Sequence, residues 1–83
     1  MSDELISRTL DVIAQAQHIP RENVTIEKSF QDLKIDSLDA MNLVFAVESE
    51  FDINIPDEDL PSIRSVREMV EGIEKLVAAK QTS

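Results

Sequence analysis

The sequence predicts a small all-α fold. It reads as a four-helix bundle of three longer helices and one short one, with a long loop between the first and second. Apolar residues recur at helical spacing over most of the chain. One glycine and three prolines leave few points where a helix must break. The 83 residues suffice for one domain, spanning 1–83, with a modest core.

The first helix is expected over Asp3–Gln17, with Ser2 as N-cap. Ile6, Leu10, Ile13 and Ala14 mark its buried face, Leu5 and Val12 widen it, and Pro20 stops it. The connection His18–Ile35 follows, and a loop of this length is often functional. Val24, Ile26, Phe30 and Leu33 are apolar enough to pin it across the bundle. The second helix is expected over Ser37–Glu50, with Asp36 as N-cap and Asp39 adding negative charge to its first turn. Pro56 starts a short helical turn carrying Asp57, Glu58 and Asp59, and Pro61 limits its length. The last helix starts at Ser65, where Ser65 and Glu68 match a capping box. Val66, Met69, Val70, Ile73, Leu76 and Val77 form its apolar stripe. Gly72 lies inside it, at a cost of about 1 kcal/mol against alanine, and a close helix contact is one explanation. The final residues, about 80–83, read as a frayed tail.

Composition narrows the function. Seventeen acidic residues against eight basic ones give a formal charge of −9. Such a surface repels nucleic acid and anionic membranes and attracts partners with basic patches. With no cysteine there are neither disulfides nor thiolate metal sites, which suits a cytoplasmic protein. The start lacks the pattern of a signal peptide. No segment approaches the ~20 apolar residues of a membrane span.

The second helix has more apolar surface than a bundle of this size buries. Ala40, Leu43, Val44, Val47 and Phe51 share one stripe. Leu38, Met41 and Phe45 share a second beside it, which reads as a partly exposed strip for another protein. Ser37 opens this helix. Unpaired backbone N–H groups and the positive end of the helix dipole favour an anion there. A phosphoester on its oxygen is well placed, although an isolated Asp-Ser pair also reads as ordinary capping.

The stretch "DLKIDSLDAMNLVFAVESEFDINIPDEDL" resembles the acyl carrier protein family. The shared marks are Asp36-Ser37-Leu38, Leu43-Val44, Glu48-Ser49-Glu50-Phe51 and Ile55-Pro56-Asp57-Glu58. The likeness runs on through "VTIEKSFQDL" upstream and "SIRSVREMVEGIEKL" downstream. It implies a carrier and not an enzyme. In such proteins a phosphopantetheinyl transferase attaches 4′-phosphopantetheine from coenzyme A to the motif serine, here Ser37, beside Asp36. The arm's thiol carries acyl groups to loading and processing enzymes of fatty-acid or related lipid metabolism. By position, Leu38, Asp39, Met41, Phe45, Glu48 and Asp57 meet partners, together with Asp36. Phe30, Leu43, Val47, Ile55, Ile63 and Val70 line the core where a chain can lie. The expected state is a monomer.

The departures from the family matter. The family commonly shows "LGxDSL", where this chain has Lys34-Ile35 before the Asp-Ser pair. One residue fewer than usual separates Phe30 from Asp36. Asn42 and Ser49 stand where glutamates are common. Each rim charge is worth about 0.2–1 kcal/mol, and together they set on-rate and partner choice. A specialised carrier, distinct from the main fatty-acid one, is the expectation. Carriage of amino acids or other cargo, or a non-carrier acidic adaptor, are the alternatives. An EF-hand at Asp57, Asp59 and Glu68 fails because Pro61 and Ser62 stand at a ligand and the glycine position. A serine hydrolase lacks G-x-S-x-G and has only His18, at the end of the first helix.

Overall fold

The computed structural model describes residues 3–82, with side chains over 3–80. It is all-helical, with no strand among the described residues. Helix α1 spans Asp3–Gln17, α2 spans Ser37–Phe51 and α3 spans Val66–Thr82. A 3₁₀ helix, Asp57–Ser62, joins α2 to α3, and a single 3₁₀ turn, Arg21–Asn23, sits early in the long loop. The expected N-cap of α1, Ser2, lies outside the described residues.

Helix α1 packs against both α2 and α3. The sealed centre comprises Ile13, Val24, Leu43, Val47, Val66, Met69, Val70 and Ile73. Thr9 is also fully buried, and its hydroxyl donates to the Leu5 carbonyl at 2.8 Å. That bond removes the desolvation cost of a lone hydroxyl in the core. The expected α1 face omitted Thr9 because a hydroxyl reads as polar until its backbone acceptor is known.

The long loop is pinned as its apolar residues suggested, with one exchange. Val24 and Phe30 are buried and Leu33 packs against the core. Ile26 is only half-buried and stays outside that cluster, whereas Ile35 is buried. Within the loop, Ser29 and Asp32 cap one another. The Asp32 carboxylate accepts the Ser29 N–H at 3.1 Å, and the Ser29 hydroxyl oxygen accepts the Asp32 N–H at 3.0 Å. Hydrogen bonding of the carboxylate to the Ser29 backbone N–H, and then to its hydroxyl, holds its pKa below the usual value, with Lys28 adding a smaller pull. The loop is then stitched to the start of α3 in antiparallel fashion. The Phe30 N–H donates to the Arg64 carbonyl, and the Val66 N–H to the Lys28 carbonyl, both at 3.0 Å.

Three turns end on a left-handed residue that is not glycine: His18 at φ 55°, Lys34 at φ 59° and Asp52 at φ 54°. Each is followed by an N–H that reaches back five residues, Ile19 to Ala14, Ile35 to Phe30 and Ile53 to Glu48. This is the Schellman closure, which glycine usually occupies. Asp52 in turn pairs with Lys80 at 2.7 Å, which lowers its pKa.

Several boundaries differ from expectation. Helix α2 runs one residue further, to Phe51, because the left-handed Asp52 supplies its stop. The short helix continues through Pro61 instead of ending before it. Pro61 takes the second position of the Leu60–Ile63 turn, whose closing N–H comes from Ile63 and whose φ proline already favours. Ser65 caps α3, its hydroxyl oxygen accepting the Glu68 N–H at 3.1 Å. Glu68 returns the bond one residue earlier than a standard capping box, to the Arg64 N–H at 3.0 Å. The stretch expected as a tail is helical as far as Thr82, and Ser83 lies outside the described residues. At Gly72 an added Cβ would meet only the Ile63 Cδ1, at 3.9 Å, which is ordinary contact. No close helix approach explains this glycine.

Candidate functional site

The site is built around the start of α2. Ile35 is buried and tied back to Phe30 by a 2.8 Å backbone bond, so the chain arrives at Asp36 from a fixed anchor. Asp36 is extended, and its carboxylate accepts the Asp39 N–H at 2.8 Å. This satisfies one of the orphan donors of the first turn. Ser37 and Leu38 come next, and among the described residues no acceptor stands opposite their N–H groups. Ser37 is exposed.

Ser37 opens onto a cleft of about 570 Å³. Its walls come from the Ser29–Asp36 turn, the first two turns of α2, and the Leu60–Arg64 end of the 3₁₀ helix. The lining is mostly apolar, with Phe30, Ile35, Ala40, Val44, Leu60 and Ile63 among its contributors. The charged groups on it are Asp36 and Arg64. The antiparallel stitch between Phe30 and Arg64 holds the two walls together.

The residues singled out from the sequence fall into separate places. Asp36, Ser37, Met41, Phe30 and Ile63 meet at this cleft. Leu43, Val47 and Val70 lie in the sealed core behind it and form no part of its wall. Ile55 is buried and faces a different depression, which Ile63, Gly72 and Leu76 also line. Leu38, Met41 and Phe45 stand 70, 50 and 60% exposed, an uncovered apolar strip running down α2 from Ser37. Asp39 is half-buried beside them, and Asp57 is exposed in the first turn of the 3₁₀ helix.

Glu48 is less available than its position in the helix suggested. Its carboxylate accepts the Ile55 N–H at 2.7 Å and is part-buried. Glu50 is likewise engaged, with Arg8 at 2.9 Å, and the Arg8 guanidinium also lies 4.6 Å from the centre of the Phe51 ring. The acidic groups of α2 thus partly serve the fold. Lys34 does not face the cleft. It lines a depression on the other side of the turn with Ile19, Glu22 and Asp32. Arg64, which sequence reasoning passed over, is the cation that lines the same cleft as Ser37. Its only sequence signal was a basic residue near the start of α3, and nothing local connects it to Ser37.

A serine on an open helix start with outward N–H groups suits a phosphoester. The apolar cleft beside it suits a chain carried on such a group. Neither His nor Lys lines the cleft beside the Ser37 hydroxyl.

Comparisons with known proteins agree with this geometry. The profile of the family described as "Phosphopantetheine attachment site" matches residues 7–73. The chain is 37% identical over 75 residues to the acyl carrier protein of Trieres chinensis, covering 89% of this chain and 94% of that one. It is 36% identical over 77 residues to the mitochondrial acyl carrier protein of Dictyostelium discoideum, covering 93% of this chain. It spans only 64% of the Dictyostelium protein's length. The crystal structure of an acyl carrier protein from Thermotoga maritima superposes with a TM-score of 0.80 at 29% identity, covering 92% of this chain and 89% of that one. The chain therefore belongs to the acyl carrier protein family, whose members bear a covalent 4′-phosphopantetheine.

Proposed function

We propose that Ser37 bears the phosphopantetheine arm and that the chain presents acyl cargo to a set of enzymes distinct from the main fatty-acid pathway. The observation that carries the attachment is the exposed Ser37 at the start of α2, on the rim of an apolar cleft. The arm supplies a thiol on which cargo travels as a thioester. The chain's own residues do the rest. Asp36 holds the first turn of α2, so the Ser37 and Leu38 N–H groups point at the phosphoester. Leu38, Met41 and Phe45 offer the apolar strip on which a phosphopantetheinyl transferase and the loading and processing enzymes dock. Asp36, Asp39 and Asp57 supply the acidic rim for basic patches on those enzymes, and Glu48 contributes less because it is bonded to Ile55. Phe30 and Ile63 form the cleft wall, Leu43, Val47 and Val70 lie behind it as the core into which a longer chain would press, and Ile55 is buried beside a separate depression. The chain performs no catalysis itself, acts as a monomer and works in the cytoplasm, with the mitochondrial relative marking the alternative compartment.

The specialised role rests on the charge pattern of the docking face. Asn42 and Ser49 are neutral, and Glu48 and Glu50 are held by Ile55 and Arg8. Partner choice then leans on the apolar strip more than on ion pairs, and long-range steering is weakened.

The test is intact mass after incubation with coenzyme A, magnesium and a promiscuous phosphopantetheinyl transferase, beside Ser37→Ala. Gain of one arm by the wild type alone is expected. No gain by a folded wild type refutes the attachment and leaves an acidic adaptor as the reading. For the specialised role, turnover by a housekeeping ketosynthase equal to that of a main fatty-acid carrier refutes it.

A further inference from the structure

We propose that Arg64 is a positioning residue that pairs with the phosphodiester on Ser37 and lays the arm across the cleft toward the 3₁₀ helix, an inference that rests on the attachment proposed above. The family's arm places one negative charge directly beside Asp36, whose carboxylate is fixed as the α2 cap. Like charges at this spacing repel, and the helix N-terminus supplies only partial positive charge. The cation that lines the same cleft is Arg64.

Arg64 is held as a positioned group should be. Its backbone is fixed on both sides, with the carbonyl accepting the Phe30 N–H at 3.0 Å and the N–H donating to Glu68 at 3.0 Å. Its Nε donates to the Pro61 carbonyl at 3.0 Å, which orients the guanidinium against the end of the 3₁₀ helix. Among the described residues its terminal nitrogens have no acceptor. Other cations are committed elsewhere, Arg8 to Glu50, Arg21 to Asp11 and Lys80 to Asp52. A planar guanidinium whose terminal-nitrogen edge is free matches a phosphodiester's paired oxygens better than an ammonium does. Paired to Arg64, the arm is drawn off the exposed Leu38–Phe45 strip and over the apolar cleft. The docking strip of α2 therefore stays clear while the arm is at rest.

The experiment uses wild type, Arg64→Gln and Arg64→Lys, each first checked by intact mass for gain of the arm. Failure of the wild type to load removes the attachment reading and this inference with it. Loading of the wild type keeps the first and puts only the second at stake. In the loaded proteins, phosphorus-31 NMR reads the phosphodiester directly. The wild-type resonance is expected to differ in shift from that of Arg64→Gln and to be broader, tumbling with the domain. That difference should collapse as NaCl rises from about 0.05 to 0.5 M, because the pair is exposed to solvent and screened. Arg64→Lys should keep part of it. Equal shifts and line widths in wild type and Arg64→Gln at low salt overturn the proposal. Should Arg64→Gln not fold, the salt titration of the wild type and the comparison with Arg64→Lys read the same contact. An effect of Arg64 that appears only when the arm carries a carboxylate-ended succinyl group, and not with the bare arm or a butyryl group, overturns the phosphodiester pairing and assigns Arg64 to the cargo.

Discussion

Exchanging the positions of glycine and a side chain should stabilise this protein. Lys34 sits at φ 59° in the turn that delivers Asp36 and Ser37, while the single glycine of the chain lies mid-helix at Gly72. A left-handed conformation costs an L-residue about 1–2 kcal/mol. Glycine avoids that cost but loses roughly 0.5–1 kcal/mol through its freer unfolded chain. The Lys34 side chain makes no hydrogen bond among the described residues, so Lys34→Gly should gain about 0.5–1 kcal/mol, the difference of the two effects. Gly72→Ala meets only the Ile63 methyl at 3.9 Å and should gain about 1 kcal/mol of helix propensity. The two positions line different depressions with no residue in common, so the effects should add. The double variant should gain roughly 1.5–2 kcal/mol, or on the order of 10 °C in Tm for a domain of this size. Urea titration followed by circular dichroism measures it, with Lys34→Ala as the control that removes the charge but keeps the Cβ. If Lys34→Gly is no more stable than Lys34→Ala, backbone strain at this turn is not the governing term.

Glu48→Ala should destabilise by about 1–3 kcal/mol, because it leaves the Ile55 N–H without its 2.7 Å acceptor, and Glu48→Gln should recover much of that in the same urea assay. Phe45→Ser should leave the urea midpoint nearly unchanged, since the ring is 60% exposed, yet lower kcat/KM for arm transfer by about tenfold if α2 is the docking face. Asp32 and Asp52 both have lowered pKa values, from the Ser29 hydrogen bonds and from Lys80 respectively. Their contribution is therefore present above the unfolded carboxylate pKa of about 4 and lost as pH falls through the lower folded values. Both are exposed, so the acid limb should be shallow and weakened by salt, and Asp52→Asn should flatten it in a urea series over pH.

Much of the fold was legible because its causes are local. The 3.6-residue period of Ile6, Leu10 and Ile13, or of Met69, Val70 and Ile73, reports a buried face without reference to any partner. The Asp36 and Ser65 caps involve atoms three residues apart, so residue type and spacing announce them. The uncovered strip of Leu38, Met41 and Phe45 was legible for the same reason, since one helix cannot turn two adjacent apolar stripes into a core this small. The turns were harder. Lys34 and Asp52 close their Schellman turns in the left-handed region without the glycine that usually signals one.

The sequence by itself determined the helices, their caps, the serine at the head of α2 and the apolar strip below it, because each is decided by contacts between residues no more than one or two turns apart. Only the tertiary structure decided that Arg64 shares a cleft with Ser37 while Lys34 faces away, and that Glu48 bonds the Ile55 N–H instead of standing free on the rim. Those outcomes depend on which distant segments the buried core brings together. The antiparallel stitch of Lys28 and Phe30 to Arg64 and Val66 makes that pairing, and no spacing along the chain encodes it.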